Sequence, residues 1–248
     1  MLYEDEHLLA LDKPGGLLSS PDRYDPSLPN LVKLLHAAIS ERRPWTQERK
    51  LTYLMTAHRL DFETSGVILL AKSKEVLVAL ANLFGSEKPL KHFAALVQGS
   101  PQDARFTVDA KLGPHPAKID LTRADPKRGK RSRTQFEVRE RFSRWTLLDC
   151  QPLTDRTHQI RAHLRYKHCP IVGDERYGGK PLWLSSLKPG YRLKPGRSER
   201  PLISRVALHA EQLQLPHPVT GEILTIRSPF PKDLAVALKY LRKFASAG

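Results

Sequence analysis

The sequence predicts an α+β fold, with a mixed, largely antiparallel sheet flanked by helices and long loops. Three observations predict it. Apolar runs of strand length recur along the chain, helical spacings fall between only some of them, and no regular strand–helix alternation joins them into a doubly wound sheet. The 248 residues, 40% of them hydrophobic, suffice for a proper core in one large domain or two small ones.

Taken in order, residues 2–11 alternate loosely and run into DKPGGLL, where Pro14, Gly15 and Gly16 force a turn, so a strand enters a loop. Asn30 then caps LVKLLHAAISERR, whose Leu31, Leu34, Leu35, Ala38 and Ile39 follow helical spacing. Residues 44–52 are polar and mixed and read as a linker. Residues 67–71 form an apolar strand. Ser73 caps a second helix, with Val76, Leu77, Leu80, Ala81 and Phe84 on one face and Gly85 beyond its end. The runs KHFAALVQG (91–99), TQFEVRE (134–140) and WTLLDCQ (145–151) are further strands. Residues 113–133 and 178–205 read as long loops rich in Lys and Arg, and loops of that length in a compact domain serve function or are disordered.

Charge narrows the partner. Lys and Arg number 41 against 26 Asp and Glu, a formal net charge of +15. A polyanion is the expected partner, nucleic acid first, because cations that displace counterions from phosphates provide affinity without reading sequence. In the second loop Trp183 and Tyr191 stand among Arg192, Lys194 and other cations, a mixture that grips phosphates and stacks on bases. No apolar run is long enough to span a bilayer, and acids stand at the N-terminus where a signal peptide has Lys or Arg. Cys150 and Cys169 lack metal-site spacing and read as thiols in a reducing cytosol.

Two segments carry the chemistry. HRLDFETSG, residues 58–66, sets Asp61 straight after a His-Arg pair and just before a tight turn and the strand VILLA. An isolated Asp there would read as a turn or cap residue. In TDRTHQIRAHL, residues 154–164, a helix starting near Thr157 puts His158, Arg161 and Arg165 on roughly one face and turns Ile160 and Leu164 to the core. An Arg fixed on a helix offers its fork to a carboxylate, so Arg161 is expected to meet Asp61; a phosphate is the other partner open to it. His158, His163 and His168 recur every five residues, off the single face a zinc helix needs, so no metal is expected.

With these residues in view, the chain resembles the RluA-like family of RNA pseudouridine synthases. DKPGGLL, HRLDFETSGVILLAKS, KHFAALVQG, TDRTHQIRAHL, IVGDERYGG and LHAEQLQLPHPVTGE occur in that family's order over nearly the whole chain. The resemblance implies one catalytic domain over residues 1–248 with the pseudouridine synthase fold. It implies no N-terminal S4 domain, since Met1 lies a few residues before the first strand. The implied reaction needs no cofactor: a uridine of folded ribosomal or transfer RNA has its glycosidic bond broken, the base rotated, and a C–C bond made through C5. Asp61 is then the essential carboxylate, attacking sugar or base or taking a ribose proton. Arg161 keeps it ionised and oriented.

The target base must be flipped out, at a cost of a few kcal/mol. Arg59 is placed to stack in the vacated space, Leu208 to contact the flipped base, Tyr177 to wall the pocket or pack the turn, and His58 to buttress the loop. Lys127, Arg128, Lys130, Arg131, Arg192 and Lys194 are the expected RNA contacts. A cytoplasmic monomer with no obligate protein partner is expected. Two positions depart from the family pattern. Phe93 stands where relatives have Tyr, keeping the stacking surface and losing the hydroxyl. Asp155 stands where TGRTHQ has Gly. Phe93 motivates the alternative of a catalytically impaired RNA-binding module on the same scaffold. A hydrolase using His-Asp chemistry is the weaker third reading, for want of a nucleophile or metal constellation.

Overall fold

The computed structural model describes residues 1–22, 25, 27–118, 121–193 and 196–246. In chain order the elements are β1 (Tyr3–Glu4), β2 (Leu8–Lys13), α1 (Leu31–Ser40), α2 (Pro44–Glu48), β3 (Met55–Thr56), β4 (Ser65–Ala71), α3 (Lys74–Gly85) and β5 (Leu90–Gln98). There follow β6 (Arg105–Asp109), β7 (Leu112–Pro114), β8 (Thr122–Ala124), β9 (Arg133–Arg141), β10 (Trp145–Pro152), α4 (Gln159–Tyr166), β11 (Leu208–Pro216), β12 (Ile223–Arg227) and α5 (Lys232–Phe244). The chain forms two compact units. The first holds Met1–Lys91 and Ala210–Pro229, the second His92–His209 and Phe230–Gly248.

In the first unit the strands run β1-β2-β4-β11, with β3 also on β4 and β12 on β11. The β1–β2, β2–β4, β3–β4 and β11–β12 pairs are antiparallel. β4 is buried along its whole length, which is why its sequence is a continuous apolar run and not an alternating one. Its successive side chains part to two faces. Val67, Leu69 and Ala71 join Val76 and Leu80 of α3 in one cluster, and Ile68 and Leu70 join Leu31 and Leu35 of α1 in another. Each buried Val, Leu or Ile side chain among these contributes about 1.5–3 kcal/mol. Both helices start as their sequences predict: Asn30 accepts from the Lys33 amide at 2.9 Å and Ser73 from the Val76 amide at 3.3 Å.

In the second unit β5-β10-β9-β6 follow one another with antiparallel pairing. The expected strands at 91–99, 134–140 and 145–151 are therefore present within a residue or two. Several expectations are corrected. Residues 113–133 are not a plain loop, because β7 and β8 pair there as a small ribbon. Residues 44–52 contain α2, with Pro44 in its first turn where a missing amide costs nothing. The strand expected over 2–11 is two strands, since the Asp5 carboxylate accepts from the His7 and Leu8 amides, both at 2.7 Å, and turns the chain between them. α4 begins at Gln159, within two residues of the expected start, with His158 outside it in the left-handed region at φ 55°. Residues 178–205 stay without helix or regular strand among the described residues, but Leu182, Leu187 and Ile203 are buried and Leu182 bridges to Ile203. Lys194 lies outside the described residues.

Candidate functional site

Asp61 sits half-buried in the turn that leads into β4, and the main chain on both sides of it is pinned. Ser19 Oγ donates to the Leu60 carbonyl and accepts the Leu60 amide, both at 2.9 Å. The Phe62 carbonyl accepts from the Gly16 and Leu17 amides at 2.8 and 3.2 Å. Thr64 N–H donates to the Asp61 carbonyl at 3.1 Å and closes the turn. Gly66 then has φ 113°, and a Cβ there would lie 2.2 Å from the Ala210 carbonyl oxygen, so the strand leaving the turn admits only glycine at that point.

Lys13 supplies a cation that sequence reasoning missed. Its side chain is 1% exposed, and Nζ donates to the carbonyls of Leu17, Pro14 and Phe62 at 2.7, 2.8 and 3.4 Å. A buried ammonium needs such acceptors, and here they belong to the DKPGGLL turn and the Asp61 turn. The two motifs thus form one object. Pro14 between Lys13 and the two glycines was the available signal, since it commits the chain to a turn whose carbonyls point inward.

Of the other expected residues in the first unit, Arg59 is exposed. His58 is half-buried, and its Nε2 accepts the Leu69 amide of β4 at 3.1 Å, with its ring 5.0 Å from that of Phe84. That is a buttress to the strand following Asp61.

In the second unit Arg161 is 4% exposed and lies in the first turn of α4. It makes a bidentate pair with Asp174, Nε to Oδ2 at 2.7 Å and Nη2 to Oδ1 at 2.8 Å. The sequence reading did not foresee Asp174, although it belongs to IVGDERYGG. The ring of Tyr177, from the same segment, lies 4.8 Å from the Arg161 guanidinium carbon. Tyr177 is buried; its hydroxyl accepts the Thr122 amide of β8 at 2.9 Å and lies 3.0 Å from His158 Nδ1.

His163 is fully buried, with Nε2 3.2 Å from the Ala110 carbonyl. That carbonyl can only accept, so Nε2 carries the proton and Nδ1 accepts from Thr134 Oγ1 at 2.9 Å. Burial pushes its imidazole below the ordinary 6.5. Phe93 is 9% exposed on β5, opposite Cys150 of β10, and Leu208 is 4% exposed at the start of β11. Lys127, Arg128, Lys130, Arg131 and Arg192 are all exposed or half-exposed. The first four lie after the β7–β8 ribbon, where the Asp125 carboxylate accepts the Lys127 and Arg128 amides at 3.1 and 2.9 Å. Among the described residues no group of three or more His, Cys, Asp or Glu side chains is arranged to hold a metal ion, and no helix is long and apolar enough to cross a membrane.

A family model described as RNA pseudouridylate synthase matches residues 7–166. The chain is 37% identical over 246 residues to a ribosomal large subunit pseudouridine synthase D of Nitrosomonas europaea, covering 98% of this chain and 65% of that protein. It is 35% identical over 247 residues to a ribosomal large subunit pseudouridine synthase C of Salmonella typhi, covering 99% and 70%. It thus spans about two thirds of the length of these relatives. Among solved structures, human RNA pseudouridylate synthase domain containing 4 superposes with a TM-score of 0.72 at 24% identity, over 98% of this chain and 92% of that one. Human RNA pseudouridylate synthase domain containing 1 does so with a TM-score of 0.68 at 23% identity, over 100% and 96%. These two likenesses concern the fold.

Proposed function

Since the chain belongs to the RluA-like family of RNA pseudouridine synthases, we propose that it isomerises uridine to pseudouridine in large-subunit ribosomal RNA, with Asp61 as the essential carboxylate. The observation that carries the reading is the pinning of the main chain at Leu60, Phe62 and Thr64 around a half-buried acid. A carboxylate on so constrained a turn loses little freedom when a nucleotide meets it, and this chemistry demands such orientation. The relatives' names point to ribosomal RNA. Transfer RNA is the other substrate of the same class.

In this reading Arg161 is the cation that keeps Asp61 ionised and oriented. Arg59, exposed two residues before Asp61, stacks where the flipped base has left, and Phe93 and Leu208 offer apolar surface to that base. Lys127, Arg128, Lys130, Arg131 and Arg192 contact phosphates, and Lys194 is proposed to act with them. The protein works as a cytoplasmic monomer. Phe93 favours one second reading, a module that binds RNA without isomerising it, because it has no hydroxyl for a proton step.

Transcripts of large-subunit ribosomal RNA and of transfer RNA, tritiated at uridine C5, separate these readings. Tritium released to solvent from the ribosomal transcript is the expected result, and release from transfer RNA alone changes the substrate. Binding of both with no release supports the second reading.

A further inference from the structure

We propose that the IVGDERYGG turn, residues 171–179, is a holder for Arg161, in which Asp174 and Tyr177 are positioning residues; the inference rests on Arg161 being the cation of the reaction. An arginine side chain left to itself on a helix samples many rotamers. Two contacts at different angles remove that freedom here. The Asp174 carboxylate takes Nε and Nη2 in the guanidinium plane, and the Tyr177 ring approaches the guanidinium carbon at 4.8 Å. The direction of the Nη1 edge is then set by the turn and not by the rotamers of Arg161.

The holder is itself held. The Tyr177 hydroxyl accepts the Thr122 amide at 2.9 Å, so the ring cannot tilt without breaking a bond to β8. Gly179 N–H donates to the Asp174 carbonyl at 2.8 Å, and Tyr177 N–H donates to the same oxygen at 3.0 Å. A Cβ on Gly179 would lie 1.8 Å from the Ile171 carbonyl oxygen, and one on Gly173 2.2 Å from that of Arg205. The glycines of the motif are therefore what allows Asp174 and Tyr177 to reach α4. Stability alone does not explain the pair. Both partners are nearly excluded from water, with side chains 5% and 1% exposed, and two apolar side chains of like volume would stabilise such a site as well or better. What an ion pair adds is a fixed direction.

The test measures single-turnover tritium release from C5-tritiated ribosomal transcript at saturating enzyme, beside RNA Kd and the thermal midpoint. Tyr177→Phe keeps the ring and drops the hydroxyl; Tyr177→Leu drops both; Asp174→Asn removes the charge. The maximal rate is expected to fall roughly tenfold for Tyr177→Phe and roughly a hundredfold for Tyr177→Leu and Asp174→Asn. RNA Kd is expected to stay within about twofold, a split that a merely structural role does not produce. If Asp174→Asn fails to fold, the two Tyr177 variants decide. A Tyr177→Phe protein with wild-type rate, or rate losses matched by equal losses of RNA affinity, overturns the inference while the functional reading stands. A wild type that releases no tritium overturns that reading and the inference with it.

Discussion

His163 is a side chain that structure explains and reaction does not. Its three-fold recurrence with His158 and His168 attracts a metal reading, yet its two nitrogens are taken by Thr134 and Ala110 inside the second unit. The folded protein holds it neutral, with its pKa pushed below 6.5 by burial. The unfolded chain takes up a proton as pH falls through about 6.5, so below that value the unfolded state binds more protons and stability declines with acidification until the folded pKa is passed. Above about pH 7 the effect is absent. The thermal midpoint of the wild type is thus expected to fall more steeply as the pH drops below about 6.5 than that of His163→Gln, and parallel curves would contradict this. Asp61 and Arg161 were picked out by the dense, specific strings around them, and their roles are proposals. Lys13 and Asp174 were not picked out, because burial and pairing decide their roles. Lys13 reaches a carbonyl 49 residues away and Asp174 meets its arginine 13 residues back, and no local pattern announces either.

Among the elements, β4 fixes where Asp61 stands. Its run SGVILLA is buried on both faces, so a slip of register would exchange the α1 and α3 clusters. Gly66 sets the start of that strand at φ 113° against Ala210. Gly66→Ala is expected to destabilise the protein by more than about 2 kcal/mol, since both the backbone angle and the close approach must yield. Urea unfolding measures it, and an unchanged midpoint with unchanged slope would contradict the packing described.

Strongly patterned elements were readable: the capped helices α1 and α3 and the apolar strands β4, β5 and β10. α2 was not, being five residues long and polar apart from Pro44 and Trp45. The β7–β8 ribbon was hidden by its shortness, because two strands of three residues each, LGP and TRA, are too short to show an alternating pattern. Leu112 of β7 and Leu121, just before β8, are buried against Ala162 and Tyr177. α5 carried a usable signal in Leu234, Ala237, Leu238 and Leu241, all buried at i, i+3, i+4 and i+7.

Taken as a molecule, the protein carries a formal net charge of +15. That charge pointed to a polyanion without naming one. The division into two units was not legible, since the first unit is completed by residues 210–229, far along the chain from its other part. Replacing Lys127, Arg128, Lys130 and Arg131 by Gln should weaken RNA binding and flatten the dependence of log affinity on log salt by about three, at roughly 0.7–0.9 for each phosphate no longer neutralised. An unchanged slope would remove residues 127–131 from the interface. In the proposed reading the reaction hangs on one carboxylate, Asp61. The most direct measurement compares wild type with Asp61→Ala for solvent tritium from C5-labelled ribosomal RNA at matched RNA occupancy. Release by the wild type and none above background by the variant is the expected result; release by Asp61→Ala at the wild-type rate would contradict it.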